Sequence, residues 1–421
     1  MTLHKRRQFP SHGQKWDDLQ SRMREVTRAD TDWRRGRTPL FVFFNDQETY
    51  EVGRNAFFNF FTENALGGGR AFFGIGQMEK EVIDCGLDLF HAPSDAGGAF
   101  TNGGTESIFL AVKAARDFHR ARHGRQRGRQ LNIVMPDTAH AAFDKSADVM
   151  DLELRRAPLD ASRRADVEAM RRLIDDNTML LVGSAPCYPH GVTDPVEAIS
   201  DLAMETGIWL HVDACVGGWI LPFFKRNGRD VPDFDFRFPG VRSISADLHK
   251  FGFCPKPAST VFYRDQTDIE RAMFVADAWP SGTFRTKTLA GTRPAGSVAA
   301  AWAVLHHLGD EGYRQAAHRL ASMTDAYVKD IESIGGMKLW ARPDMSIINF
   351  GSDDYDMNAV AGRMAGRGWL PALTRRPKGM HLMMSLLHEP VQADFMADLR
   401  TSVSEVKNGQ TPQTQVQATY G

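Results

Sequence analysis

Residues Ser243–Pro255 read S-I-S-A-D-L-H-K-F-G-F-C-P. A β-rich run, Val241 to Ser245, ends there in a small-residue turn that presents His249 and Lys250. A lysine after a strand, beside a histidine and among small and aromatic residues, is poorly placed for a solvated surface. Upstream, Ile208–Cys215 (I-W-L-H-V-D-A-C) is an apolar strand that ends on a carboxylate, Asp213. A strand-end aspartate and a strand-end His-Lys pair together suggest a pyridoxal 5'-phosphate (PLP) site. The Lys250 amine would form a Schiff base with the cofactor aldehyde. Asp213 would pair with the pyridinium nitrogen and keep it protonated, so that the ring accepts electrons. Lys250 alone would read as a surface lysine; Asp213, His140 and a glycine turn change that reading.

The glycine turn is Gly97–Ser107, G-G-A-F-T-N-G-G-T-E-S, and it leads into a helical run, Ile108–His119. Glycines before a helix let backbone N–H groups converge on an anion, and the helix dipole adds positive potential. Gly103, Gly104 and Thr105 are the candidate phosphate cradle, with Ser107 as a further hydroxyl donor. Glu106 falls in the first turn, where negative charge is favoured. His140 follows M-P-D-T-A and opens another helix; an imidazole there suits stacking on the cofactor face. Tyr188-Pro189-His190-Gly191 is a shaped loop after a strand, whose Tyr and His can reach the pocket.

Strand candidates are Leu131–Met135, Leu152–Arg156, Met179–Ser184, Ile208–Asp213, Val241–Ser245 and Ser259–Tyr263, with helical patterns at Ala142–Met150, Val167–Asp175 and Val196–Thr206 between them. Such alternation implies an α/β fold with a mostly parallel central sheet covered on both faces. Ligands bind such sheets at the carboxyl ends of the strands. There His140, Tyr188, His190, Asp213, His249 and Lys250 converge.

Residues 1–60 read as an N-terminal arm with a helix at Trp16–Arg28, an aromatic run at Pro39–Phe44, and Ala56–Phe61, too apolar to stay in water. The large PLP-binding domain is placed at 61–295, with a glycine hinge at Gly67–Gly69 and an amphipathic helix at Gln77–His91. Asp277–Ser297 reads as a long irregular segment whose cations, Arg285, Lys287 and Arg293, can close over an anionic ligand of this chain or of a neighbouring subunit. Helices Val298–Leu308 and Tyr313–Ile334 lead into a small C-terminal α+β domain, 296–407. Its expected strands are Lys338–Ala341, Ser346–Phe350, Trp369–Thr374 and His381–Leu386, and its helices Met357–Arg367 and Val391–Val406. Residues 408–421 read as a mobile polar tail.

The chain has 421 residues, is 42% hydrophobic and carries a net charge of −1, so it draws no global pull toward nucleic acid or membrane. The basic run Arg120–Arg129 lacks interleaved aromatics and reads as a solvated helix end. Four cysteines, Cys85, Cys187, Cys215 and Cys254, show neither metal-ligand nor disulfide spacing, which fits reduced thiols in the cytoplasm and no metal. No signal-like or transmembrane-length apolar run is present, so a soluble protein is expected.

With these segments in hand, the chain resembles the sphingosine-1-phosphate lyase family, within the PLP-dependent decarboxylase-like enzymes of fold type I, the aspartate-aminotransferase fold. The resemblance rests on T-N-G-G-T-E-S (101–107), A-H-A-A-F-D-K-S-A (139–147), P-H-G-V-T-D-P (189–195), H-V-D-A-C-V-G-G (211–218), F-D-F-R (234–237), G-V-R-S-I-S-A-D-L-H-K-F-G (240–252), P-K (255–256) and A-G-T-R-P (290–294). It implies that Lys250 is the Schiff-base lysine, Asp213 the pyridinium partner and His140 the stacking residue. Gly103, Gly104, Thr105 and His249 would cradle the phosphate. Lys256 and Tyr188 would lie near the substrate. A homodimer would share its sites, with Gly291–Arg293 near the partner's. One stretch departs from the family: Asn64–Gly74 lacks an N-x-x-H-x-x-x-F-P-like element. Gly68 stands where the His is expected, Phe73 where the Pro is, and Phe44 where an arm Tyr is. Arg285 and Lys287 occupy a loop that is neutral elsewhere in the family. The cofactor half is intact and the substrate half rewritten.

Three readings follow. The first is a PLP-dependent lyase that cleaves a phosphorylated or otherwise anionic β-hydroxy amine, with Lys250, Tyr188 and His140 as candidate acid/base groups, and Lys256, Arg285, Lys287 and Tyr188 on the substrate. The second is an amino-acid α-decarboxylase using the same cofactor half. The third is a binding subunit that has lost chemistry, against which the Lys250–Asp213 pair argues.

Overall fold

The computed structural model describes residues 6, 8–124, 130–410, 414 and 416–419. The end of the basic run and part of the tail lie outside these residues. The arm contains α1 (Trp16–Val26) and α2 (Gln47–Asn59). The Asp46 carboxylate caps α2 by accepting the Thr49 N–H at 2.8 Å. The large unit then runs α3 (Phe73–Leu89), β1 (Gly97–Thr101), α4 (Gly104–His123), β2 (Asn132–Pro136), α5 (Ala142–Met150), β3 (Glu153–Ala157), α6 (Val167–Arg172), β4 (Thr178–Ser184), α7 (Val196–Thr206), β5 (Trp209–Asp213), α8 (Leu221–Arg226), β6 (Val241–Ala246), β7 (Ser259–Tyr263) and α9 (Gln266–Ala272). A short hairpin, β8 (Phe274–Ala276) and β9 (Phe284–Thr286), precedes α10 (Ala295–Glu332). The small unit is β10 (Lys338–Leu339), β11 (Ile347–Gly351), α11 (Met357–Gly366), β12 (Ala372–Arg375), β13 (Lys378–Met383) and α12 (Gln392–Lys407).

The main sheet has seven strands in the order β1-β7-β6-β5-β4-β2-β3. The run β6-β5-β4-β2-β3 is parallel. β7 runs antiparallel to both β6 and β1. Strands β2, β4 and β5 are buried along their whole length, as a sheet covered on both faces requires. The carboxyl ends of β1, β2, β4, β5 and β6 therefore share one edge with the start of β7. The small unit carries its own antiparallel sheet, β10-β11-β13-β12. The chain is thus an α/β unit on a mostly parallel sheet followed by a smaller α+β unit. Arg164 joins the two units through a bidentate pair with Asp344 at 2.9 Å.

Several expectations are corrected. Gly97 and Gly98 form strand β1, not a turn, and α4 begins at Gly104 instead of Ile108. A Cβ on Gly98 would lie 2.6 Å from the Val261 carbonyl oxygen, so only glycine lets β1 pass so close to β7. Gly67–Gly69 is no hinge. Asn64 caps a short 3₁₀ turn there, accepting the Leu66 N–H at 3.0 Å. Gly68 and Gly76 pack backbone to backbone: a Cβ on Gly76 would meet the Gly68 oxygen at 2.6 Å. Helix α3 accordingly starts at Phe73. The segment Asp277–Ser297, expected to be irregular, contains the second strand of the hairpin, β9, and the start of α10 at Ala295. Two helical runs meet in α10 at Gly309, whose φ of 54° breaks the helix. The tail is partly tied down, because Arg375 donates to the Ala418 carbonyl at 2.9 Å. Among the described residues, no helix is long and apolar enough to cross a membrane.

Candidate active site

The strand ends surround a cavity of about 880 Å³. β1 and the start of α4 bring Gly103, Gly104 and Thr105. The segment after β2 brings His140, that after β4 brings Tyr188, β5 ends on Asp213, and the turn after β6 supplies His249 and Lys250; Lys256 also lines the wall.

Lys250 is not alone at the bottom of this cavity. Its Nζ lies 2.9 Å from Oδ2 of Asp247, a fully enclosed carboxylate three positions earlier in the same turn. Burial works to raise the Asp247 pKa, but the charges of Lys250 and His249 outweigh it and hold the carboxyl below its ordinary value. Asp247 also lies 3.6 Å from Nε2 of His249. The other ring nitrogen of His249, Nδ1, accepts the Ala258 N–H at 3.1 Å, which puts the proton on Nε2. Sequence reasoning missed Asp247, although it sits inside the opening stretch. The one signal was its i,i+3 spacing to Lys250 in a turn.

Asp213 accepts the Cys215 N–H at 3.1 Å and the Ser245 hydroxyl at 3.4 Å, both on Oδ1. His140 Nδ1 accepts the Ala142 N–H at 3.1 Å, leaving its proton on Nε2. Burial lowers the His140 pKa, with the Lys250 charge adding to it and Asp213 and Asp247 opposing, so the ring is neutral at neutral pH. The Lys256 ammonium donates to the Phe41 carbonyl at 2.9 Å. Burial and then the Lys250 charge lower its pKa, against Asp247. The Tyr188 loop is fixed from the small unit: His381 Nε2 donates to the Tyr188 carbonyl at 2.7 Å, and the two rings lie 4.5 Å apart.

Other expected residues are elsewhere. Ser107 is enclosed between Thr101 and Ser259, at 2.6 and 2.8 Å, and does not face the cavity. Arg293 does not reach the cavity of its own chain. Its guanidinium is committed to Glu79 at 2.8 and 3.1 Å and to the Phe100 carbonyl at 3.0 Å. Arg285 and Lys287 are exposed on and after β9 and are absent from this cavity's wall. The cation found at its mouth besides Lys256 is Lys145, on α5, five positions after His140 in a motif whose remaining residues went unread. Phe44 packs on Trp33 and Tyr50, away from the cavity. Glu106 accepts the N–H groups of Asn102, Leu289 and Ala290 at 2.7, 2.9 and 3.1 Å, which stitches the segment after the hairpin onto α4.

An amine, a strand-end carboxylate and a helix N-terminus facing one cavity form the donor set that PLP needs. The cradle is also shaped by glycine. A Cβ on Gly104 would lie 2.7 Å from Cys215 Sγ and 2.8 Å from Asp247 Oδ2.

Residues 75–352 match the model of the pyridoxal-dependent decarboxylase conserved domain. A solved sphingosine-1-phosphate lyase from Burkholderia pseudomallei superposes with a TM-score of 0.91 at 33% identity, covering 97% of this chain and 95% of that one. The chain belongs to the sphingosine-1-phosphate lyase family of pyridoxal-dependent decarboxylases. The Arabidopsis thaliana sphingosine-1-phosphate lyase is 40% identical over 82% of this chain, which spans 63% of that relative's length. The family also neighbours decarboxylases: a probable L-tyrosine/L-aspartate decarboxylase of Methanothrix thermoacetophila is 36% identical over 84% of this chain and 88% of its own length. PLP is the cofactor. Lys250, Asp213, His140 and the start of α4 line the cavity that could hold it.

Proposed function

We propose that the chain is a PLP-dependent carbon–carbon lyase. Its substrate is a phosphorylated or otherwise anionic β-hydroxy amine of the sphingosine 1-phosphate type, cleaved to an aldehyde and an amine. The observation that carries this reading is the likeness to the Burkholderia lyase, which runs through 97% of the chain and so through cavity and scaffold alike.

The bound cofactor supplies an electron sink for the bond broken at Cα. Lys250 would anchor it, Asp213 would pair with its ring nitrogen, and Gly103, Gly104, Thr105 and His249 would hold its phosphate. His140 would stack on the cofactor. In its Nε2–H tautomer His140 donates at that atom, which leaves the Lys250 amine and the Tyr188 hydroxyl as the groups suited to take the β-hydroxyl proton. Lys256 and Lys145 receive the substrate's anionic group at the cavity mouth. Arg285, Lys287 and the Gly291–Arg293 segment act at the partner's site in a homodimer. Exposed apolar residues on the arm and hairpin, including Trp16, Met23, Phe58, Phe61, Phe274 and Trp279, favour such pairing. A cytoplasmic, reducing location fits the four free thiols.

The likeness to the Methanothrix decarboxylase supports a second reading, α-decarboxylation of an amino acid. A panel of phosphorylated amino alcohols, β-hydroxy amino acids and simple amino acids, assayed for both aldehyde and carbon dioxide, separates the two. Aldehyde from a phosphorylated β-hydroxy amine is expected. Carbon dioxide without aldehyde would overturn the lyase reading.

A further inference from the structure

Along β5, Trp209, His211 and Asp213 alternate with Leu210 and Val212 and so share one face of the sheet. On the neighbouring strand His211 is paired with Ser243 and Asp213 with Ser245. The result is a strip of polar side chains through the sheet interior, with His211, Ser243 and Ser245 fully buried. Such a strip is costly unless every member is bonded.

Its hydrogen bonds have a direction. The indole nitrogen of Trp209 can only donate, and it donates to Ser243 Oγ at 2.8 Å. Ser243 Oγ also lies 2.8 Å from His211 Nδ1; with the Ser243 hydrogen given to Nδ1, the imidazole proton sits on Nε2 and donates to Ser245 Oγ at 3.1 Å. The thiol of Cys215 reaches the same oxygen at 3.3 Å. Ser245 thus receives two donors and gives its own hydrogen to Asp213 Oδ1. The opposite tautomer of His211 would draw the Ser245 hydrogen to itself and strip Asp213 of that donor. Burial keeps His211 uncharged, moving its pKa down to about 4, against the opposing charge of Asp213 and a hydrogen bond to the Ser243 backbone. The Phe143 ring of α5, 6.0 Å away, packs against the imidazole.

We infer that His211 is a positioning residue: with its proton on Nε2, it makes Ser245 a committed donor to Asp213 and orients that carboxylate toward the cofactor's ring nitrogen. The inference rests on the cofactor assignment and not on the substrate.

Two measurements test it. In protein labelled with ¹⁵N-histidine, the nitrogen shifts of His211 are expected to report the Nε2–H tautomer in the unmodified protein and a mixture in Trp209→Phe. In parallel, PLP affinity is titrated by visible absorbance. His211→Gln can still present an N–H toward Ser245 and is expected to stay near the parent. His211→Phe is expected to bind PLP about tenfold or more weakly, as befits loss of a hydrogen bond supporting a charged group. A proton on Nδ1 in the unmodified protein would overturn the inference. So would a folded His211→Phe variant that binds PLP as the parent does. If His211→Phe does not fold, the tautomer measurement decides. Substrate turnover enters neither test, so failure of the lyase reading would leave both results intact.

Discussion

Asp247 and Gly104 show how closely the cofactor end is fitted. Lys250 meets Asp247 at 2.9 Å, and Gly104 lies where any side chain would strike Asp247 and Cys215. Gly104→Ala is therefore expected to cost about 1–3 kcal/mol through overpacking and to weaken PLP binding, read by thermal unfolding and an absorbance titration. A variant with parent stability and parent affinity would mean that the first turn of α4 has slack. Asp213→Asn retains the shape but loses the charge opposite the ring nitrogen, and kcat is expected to fall by about 10²-fold or more. An unchanged kcat would remove Asp213 from that role. Lys250, Asp213 and His140 could be brought together from sequence because each follows a strand in an α/β pattern, and all three line one cavity. Asp247 could not, because a carboxylate beside a lysine in a turn looks like a solvated pair until the turn is seen to be buried. Arg285 and Lys287, expected to close over an anionic ligand, stand clear of this chain's own cavity wall. Charge is visible in sequence, but the direction a hairpin takes is not.

At the level of elements, the parallel strands were readable from their apolar runs, and their order placed the strand-end residues at one edge. β1 was not readable, since its two glycines are needed for close passage over β7 yet carry the usual signal of a turn. The glycines at 67–69 erred in the same direction, because their packing against α3 is a long-range fact. Arg293 sits where such elements meet. It clasps Glu79 of α3 and the Phe100 carbonyl of β1 from two residues before α10. Arg293→Met would leave Glu79 without its partner and is expected to cost about 3 kcal/mol, measured by denaturant unfolding. Parent stability with lost activity would instead place the work of Arg293 in the partner's site.

Across the whole molecule, three enclosed histidines set the acid limit of stability. His190, His211 and His381 each have pKa values lowered by burial to about 4. The unfolded chain takes up these protons near pH 6.5 while the folded one refuses them, so stability is full above pH 6.5 and falls as pH drops toward 4. Each histidine gives up on the order of 3 kcal/mol across that window. Asp194 works the other way: burial raises its pKa to about 6, with backbone donors from Ala165 and Ser184 and the Arg164 charge opposing, and it offsets part of the loss. The melting temperature is expected to fall between pH 7 and pH 5; a flat profile would mean that these histidines protonate in the folded protein.

The whole account turns on which lysine carries the cofactor, since Lys145, Lys250 and Lys256 all line the cavity. Borohydride reduction of the PLP-loaded protein, followed by peptide mass mapping, answers this directly. The account predicts the added mass on Lys250, and Lys250→Ala should abolish it. The mass on Lys145 or Lys256, or on none of these lysines, would contradict the site as assigned.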